Sequence, residues 1–491
     1  MASREELDRK AKEALKSLPQ TLTVKDRMAI EHQEMPSQDP DVRKHNMDEV
    51  ALGYSEDIAV LEAQRCLNCK NKPCMSGCPV SIDIPRFIER IQNRDFKGAL
   101  SVIQEESILP SICGRVCPQE AQCQKYCTVG KALKDVDKAV AIGRLERFVA
   151  DYNASDESVP DVKAPTGKRV AVVGSGPASI ACAADVRREG HDVVMFEALH
   201  KTGGVLSYGI PEFRLPKHLV DKEIKKLEKM GVDIEKNVLI GRTRTIEELK
   251  SEDGFDAIFI GTGAGLPKFM GIPGENLVGV LSANEYLTRS NLMKAYDKAN
   301  SHTPEYEGRR VAVLGGGNVA MDAARTALRL GAETVDIIYR RTRSEMPARK
   351  EEIEHAVEEG CSIRMLSQPV EILGDDKGRV RALVIRKCEL GEMDASGRRS
   401  PVEIEGSDEE IAYDEVIVAI GNASNPLIKL TTPEIEVNRR GNFIVDEETN
   451  QTNMEGVYAG GDIVLGAATV ILAMGQGRKA AKAINEYLKG K

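Results

Sequence analysis

Two nine-residue stretches of the chain are nearly identical, Arg169-Val-Ala-Val-Val-Gly-Ser-Gly-Pro177 and Arg310-Val-Ala-Val-Leu-Gly-Gly-Gly-Asn318. An apolar run ending in closely spaced glycines reads as a buried strand turning tightly into a helix. Each copy leads to a second strand, Val193-Val-Met-Phe-Glu197 and Val335-Asp-Ile-Ile-Tyr339. Each also has a later partner, Phe255-Asp-Ala-Ile-Phe-Ile-Gly-Thr-Gly263 and Tyr413-Asp-Glu-Val-Ile-Val-Ala-Ile-Gly421. Strands alternating with helices build parallel sheets with crossover connections, so this repeat predicts two dinucleotide-type domains. A last strand and helix, from Gly456 to Tyr487, are left unassigned by the repeat.

Ahead of the first copy the chain has another character. Residues 1–50 are polar, with prolines at 19, 36 and 40, and support a short helix around Arg4–Leu18 followed by an extended arm. From Glu56 to Tyr152 helical patterns alternate with cysteine loops; Asp83 suits a helix cap, with Pro85 in the first turn and Phe87, Ile88 and Ile91 on one face. The stretch from Asn153 to Gly167 reads as a linker. At 491 residues the chain has room for roughly three domains of about 150 residues.

Eight of the 11 cysteines fall within residues 66–127. Cys66, Cys69, Cys74 and Cys78 are separated by two, four and three residues; Cys113, Cys117, Cys123 and Cys127 by three, five and three. The start of the chain lacks the apolar segment of a secretory signal, and no run of 18 apolar residues occurs, so a cytoplasmic protein without membrane contact is expected. In a reducing compartment such cysteines are ligands or thiols. Two sets of four soft ligands suit two iron–sulfur clusters. Structural zinc is the rival, but zinc ribbons usually pair two-residue gaps and here only Cys66 and Cys69 show one. Cys182, Cys361 and Cys388 stand alone and read as small buried side chains.

The turn Gly174-Ser-Gly176-Pro177-Ala178 places backbone amides at a helix N-terminus, where a pyrophosphate binds. Glu197, ending the next strand, is placed to accept from ribose hydroxyls. In the second copy, Gly315-Gly-Gly317-Asn318-Val319, that acid is missing and Arg340, Arg341 and Arg343 stand instead. Guanidinium groups there favour a 2′-phosphate, hence NADP(H), with a solvated basic turn as the bland alternative. A nicotinamide gives two electrons together, whereas clusters take one at a time, so a flavin is needed between them. FAD is expected at the first site and NADPH at the second. The net charge of −9 (68 basic against 77 acidic residues), 4% aromatics and absence of Trp leave no basis for nucleic-acid binding.

In combination, the eight cysteines, Cys113-Gly-Arg-Val-Cys-Pro-Gln119, Ala141-Ile-Gly-Arg-Leu-Glu-Arg-Phe148, Gly203-Gly-Val-Leu-Ser-Tyr-Gly-Ile-Pro-Glu-Phe-Arg-Leu-Pro216, Gly315-Gly-Gly-Asn-Val-Ala-Met-Asp322 and Ala459-Gly-Gly-Asp462 resemble the small (beta) subunit family of NADPH-dependent glutamate synthase. The large subunit of NADH-dependent ferredoxin:NADP oxidoreductase and the N-terminal half of dihydropyrimidine dehydrogenase are relatives. The resemblance covers nearly all of residues 40–491. It implies an α/β protein: a helical domain with two 4Fe–4S clusters (residues 1–155), then two Rossmann-like domains of glutathione-reductase type. The FAD domain would span 156–305 and 421–491, and the NADPH domain 306–420.

The resemblance further implies interleaved ligands: Cys66, Cys69, Cys74 and Cys127 on one cluster, and Cys78, Cys117, Cys123 and Glu146 on the other, with Cys113 as the alternative to Glu146. It places Gly203, Gly204, Leu206 and Arg214 beside the isoalloxazine, Asp462 on the ribityl chain, and Ala468, Thr469 and Val470 at the following helix N-terminus. It includes Gly421 among the cofactor contacts.

The expected function is electron input: NADPH oxidised through FAD, with clusters passing electrons to a glutamate synthase large subunit. Neither a glutaminase nor a substrate barrel is encoded in these residues. The alternatives are a subunit of the ferredoxin:NADP oxidoreductase, paired with a small flavoprotein subunit and with ferredoxin as a further partner, and a non-catalytic scaffold. An oligomer is expected.

Overall fold

The computed structural model describes residues 3–156, 158–306 and 308–490; Met1, Ala2, Glu157 in the linker, Glu307 and Lys491 lie outside the described residues. Short helices build the N-terminal region. Arg4–Ser17 starts where the Ser3 side chain accepts from the Glu6 amide, and Leu18 ends it in extended conformation. Ile84–Gln92 is capped by Asp83, which accepts from the Arg86 amide, and it buries Phe87, Ile88 and Ile91 as its periodicity predicts. These faces close one apolar core with Phe96, Leu100, Leu145 and Phe148; Cys123 and Cys127 lie inside it, and Cys66, Cys74 and Cys78 pack against it.

Both copies of the repeat form five-stranded parallel sheets. The first runs Val457–Ala459, Ala257–Ile260, Arg169–Val173, Asp192–Glu197 and Val232–Lys236. The leftover C-terminal strand thus completes the first sheet, and helix Val470–Lys489 packs along Pro177–Arg188 beneath it. The second sheet runs Val280–Ser282, Glu415–Val418, Arg310–Leu314, Thr334–Ile338 and Ser362–Arg364. Its outer strand precedes residue 306, where the sequence placed the domain boundary. Three residues are too few to show a hydrophobic period, so pairing with Glu415–Val418 reveals the strand where pattern does not. The chain passes between the sheets as a short ribbon, Leu266–Pro267 antiparallel to Asn422–Ala423.

An antiparallel meander, Ser367–Gly374, Val380–Met393 and Arg399–Glu403, with Glu409–Ala412 paired back onto Val380–Met393, extends the second domain; the repeat gave no sign of it. Buried ion pairs fasten the three regions together. Glu359 accepts from Arg325, Arg329 and Arg43, so the N-terminal arm is clipped onto the second domain. Arg214, from the first domain, pairs with Asp322 at 2.7 Å and Glu352 at 3.1 Å in the second.

Candidate functional site

The first glycine turn is held by its neighbours. Gly174 sits at φ +95°, and a Cβ there would meet the Gly261 carbonyl at 2.7 Å, so the turn can press against the next strand only as glycine. Gly176 caps helix Pro177–Arg188, with nothing within 4 Å of the position a Cβ would take. Pro177 and the buried Ala178 fill its first turn, leaving the amide end clear for a phosphate. The buried Glu197 carboxylate accepts from the Ser175 hydroxyl and, at 2.8 Å, from the Leu199 amide. Ser175 Oγ in turn accepts from the Gly203 amide at 2.9 Å, which joins the glycine turn to the 203–216 segment.

That segment is rigid by construction. A Cβ on Gly204 would lie 2.8 Å from Gly176 Cα, and Leu206 is fully buried. Lys217 Nζ donates to the Leu206 and Leu215 carbonyls at 2.9 and 3.0 Å and also to Ile210, and burial lowers its pKa to about 8. Arg214, expected beside the flavin ring, pairs its guanidinium with Asp322 and Glu352 across the domain junction. Asp462 opens the helix Asp462–Leu465 below Gly461; burial raises its carboxyl to about 6, and it accepts from the Ala468 amide at 3.2 Å. Thr469 caps Val470–Lys489 and accepts from the Leu472 amide. Sequence reasoning passed over Ser175, although it lies inside the glycine motif, and Lys217, which no motif marks.

The second turn repeats the first. Gly315 lies at φ +143°, with the Ala419 carbonyl 2.3 Å from an added Cβ, and Gly317 caps helix Asn318–Leu330. Val319 is 44% exposed at that end and Gly421, across the sheet, faces open space. The three arginines do not act alike. Arg340 is exposed. Arg343 lies 4.0 Å from Glu354 with both side chains about half exposed. Arg341, expected as a phosphate ligand, is buried, with Nη2 on Asp394 and Nε donating to the Arg399 carbonyl, both at 2.7 Å. The unforeseen meander supplies both partners, which is why the residue's task was invisible in the sequence.

The cysteines fall into two neighbouring groups. Cys66, Cys69, Cys74 and Cys127 line one cavity with Leu67, Ile84, Ile88 and Val140. Burial pushes the Cys66 thiol up to about 11 and Cys74 up to about 12. Cys78, Cys117 and Cys123 lie within electrostatic reach of one another and of Glu146. A hydrogen bond donated by the Cys117 thiol to Cys113, together with burial, raises Cys117, and burial raises Cys123 and Cys78. Cys74 acts on Cys123, so the groups adjoin. Glu146 is 7% exposed, its Oε1 has no hydrogen-bond partner, and burial lifts its carboxyl to about 8. An orphaned carboxyl beside the buried thiols of Cys117 and Cys123 and the half-buried thiol of Cys78 fits a cationic core. Among the described residues no three His, Cys, Asp or Glu side chains could hold one metal ion.

Cys113 and Cys117 also belong to the core of the first sheet, with Leu206, Leu215 and Tyr458, and the loop after Cys78 puts Val80 against Gly475 of helix Val470–Lys489. The second group is therefore the one nearer the first glycine turn.

Two nucleotide folds, one with an acid and one with arginines beyond the turn, joined to a domain of grouped thiols, define a flavin- and iron–sulfur-containing NADPH oxidoreductase. Residues 168–480 match the pyridine nucleotide-disulphide oxidoreductase family and residues 43–158 match dihydropyrimidine dehydrogenase domain II, 4Fe-4S cluster. The glutamate synthase [NADPH] small chain of Halomonas elongata is 36% identical over 464 residues, 92% of this chain and 96% of that protein. The beta subunit of the NADP(+)-dependent formate dehydrogenase of Moorella thermoacetica is 37% identical over 442 residues, of which this chain spans 60% of the relative's length. In fold the chain is similar to Mycobacterium tuberculosis FprA in complex with NADPH, with a TM-score of 0.55, 21% identity, and coverage of 66% of this chain and 85% of that one. The chain belongs to the glutamate synthase small-chain family, within the pyridine nucleotide-disulphide oxidoreductases. No helix among the described residues is long and apolar enough to cross a membrane.

Proposed function

We propose that this chain is the electron-input subunit of a glutamate synthase, taking electrons from NADPH and delivering them to a large subunit in the cytoplasm. The observation that carries the reading is the match to a glutamate synthase small chain over 96% of that protein's length. In this reading Gly174, Gly176, Pro177, Ala178, Glu197, Gly203, Gly204, Leu206, Asp462, Ala468, Thr469 and Val470 hold FAD. Gly315, Gly317, Asn318, Val319, Arg340, Arg343 and Gly421 hold NADPH. Cys66, Cys69, Cys74 and Cys127 bind the outer 4Fe–4S cluster, and Cys78, Cys117, Cys123 and Glu146 the one on the flavin side.

The bound groups supply hydride acceptance and its division into single electrons. The chain's task is placement. Ser175 ties Glu197 to Gly203, so the ribose acceptor and the ring-side segment move as one. Lys217 fixes the carbonyls of that segment, and Arg214 with Asp322 seats one nucleotide domain against the other. Hydride transfer depends on such alignment more than on a proton donor.

Protein purified without oxygen should carry one FAD and roughly eight iron and eight sulfide. It should reduce dyes with NADPH but form no glutamate from glutamine and 2-oxoglutarate until the large subunit is added. Glutamate formation by the pure chain, or two zinc ions without sulfide, would overturn the reading. Glu146→Ala should lower the iron content or alter one cluster's spectrum; with both clusters untouched, Cys113 becomes the ligand.

A further inference from the structure

We propose that Arg349, carried by the nucleotide domain, is a positioning residue that sets the reduction potential of the flavin-side cluster. The inference rests on the ligand assignment above.

Arg349 precedes helix Lys350–Glu358, whose first residues dock on the helical domain. Lys350 bonds Asp137, and Glu351 lies 3.6 Å from Arg144. Between these contacts Arg349 reaches the loop that carries Cys117. Its Nη1 donates to the Arg115 carbonyl at 3.1 Å and its Nη2 to Gln119 Oε1 at 3.4 Å, bracketing Cys117 on both sides in sequence. Its charge acts on the Cys117 thiol. Its own backbone is fixed from the other direction, because its amide donates to Asn318 Oδ1 at 2.9 Å, in the first turn of the helix behind the second glycine motif.

Arg349 is 8% exposed and its Nε has no hydrogen-bond partner. Two carboxylates face it, Glu351 at 3.2 Å and the partly exposed Glu120 at 3.5 Å. A guanidinium keeps its charge at all working pH values. A fixed positive charge in a water-poor place stabilises the reduced, more negative form of a thiolate-bound cluster, and net charge and hydrogen bonding are among the factors that set such potentials. Arg349 bonds the Arg115 carbonyl and Gln119 around Cys117, and its effect on the cluster is electrostatic. It comes from a domain other than the one that supplies the ligands.

The test is an anaerobic redox titration of the holoenzyme followed by electron paramagnetic resonance. At the potential where the wild-type cluster is half reduced, Arg349→Gln should raise the ratio of oxidised to reduced cluster about tenfold, which is 59 mV for a one-electron couple. Arg349→Lys, which keeps the charge, should restore most of the shift. Glu120→Gln, a milder change near the surface, should move the ratio in the opposite direction. An Arg349→Gln midpoint that coincides with wild type overturns the inference. If Arg349→Gln fails to retain the cluster, Glu120→Gln decides alone: an unchanged midpoint overturns the proposal. Glu146→Gln identifies the cluster: if it leaves the titrated signal unaltered, the ligand assignment fails independently of Arg349.

Discussion

Replacing Arg340 and Arg341 separately should divide nucleotide selectivity from fold. Both directly follow Tyr339, the residue that matches the first domain's acid, yet Arg341 is buried on Asp394 and the Arg399 carbonyl, whereas Arg340 is exposed. A hydrogen bond between a guanidinium and a phosphate is worth about 1.5–3 kcal/mol. At about 1.4 kcal/mol per factor of ten, Arg340→Ala should therefore cost NADPH roughly 10- to 100-fold in kcat/KM. NADH, which lacks the 2′-phosphate, should change less than about twofold. Arg341→Ala breaks a pair whose acidic partner is 28% exposed, so the loss from that ion pair should be modest, and it should fall equally on both nucleotides. Steady-state kinetics with NADPH and NADH on the wild type and both variants measure this, with thermal unfolding as the control for folding. A selective loss of NADPH in Arg341→Ala, with Arg340→Ala silent, would refute the reasoning, because Arg341 would then have to leave Asp394 to bind phosphate.

Glu359 offers a test of how the N-terminal arm is held. Glu359→Gln removes the carboxylate that three guanidinium groups share and should cost about 3–5 kcal/mol, lowering the midpoint of thermal unfolding of the second domain by about 6 °C or more. Burial pushes its carboxyl up, but the hydrogen bonds and charges of Arg325 and Arg329 together outweigh that and hold it below the ordinary 4.5. The contribution is thus complete above pH 4.5 and is lost as pH falls toward the folded value, so wild type and variant should converge in acid. Divergence that grows on acidification would contradict this. Cys74→Ser, in the outer group, should impair delivery to the partner subunit more than NADPH–dye turnover; equal loss of both would assign that cluster to folding.

Much of the architecture is legible in the sequence because it rests on local rules. The repeated strand and glycine turn must form twice, since an apolar strand followed by glycines has few other low-energy outcomes, and both sheets follow from it. Cysteine spacing announces a cluster domain for the same reason: ligands a few residues apart need no distant partner. What spacing alone leaves open is the division of those cysteines, because Cys127 joins Cys66, Cys69 and Cys74 across 52 intervening residues, where helix packing decides proximity. The sequence likewise marks Arg340, Arg341 and Arg343 as equivalent, and only the meander, by offering Asp394 and the Arg399 carbonyl, separates Arg341 from the others. Arg214 and Arg349 lie at domain junctions, where partners more than 100 residues away fix their roles. Local periodicity determines elements and turns; the tasks of buried charges are decided by tertiary contacts, because a desolvated guanidinium must find its acceptors wherever the fold brings them.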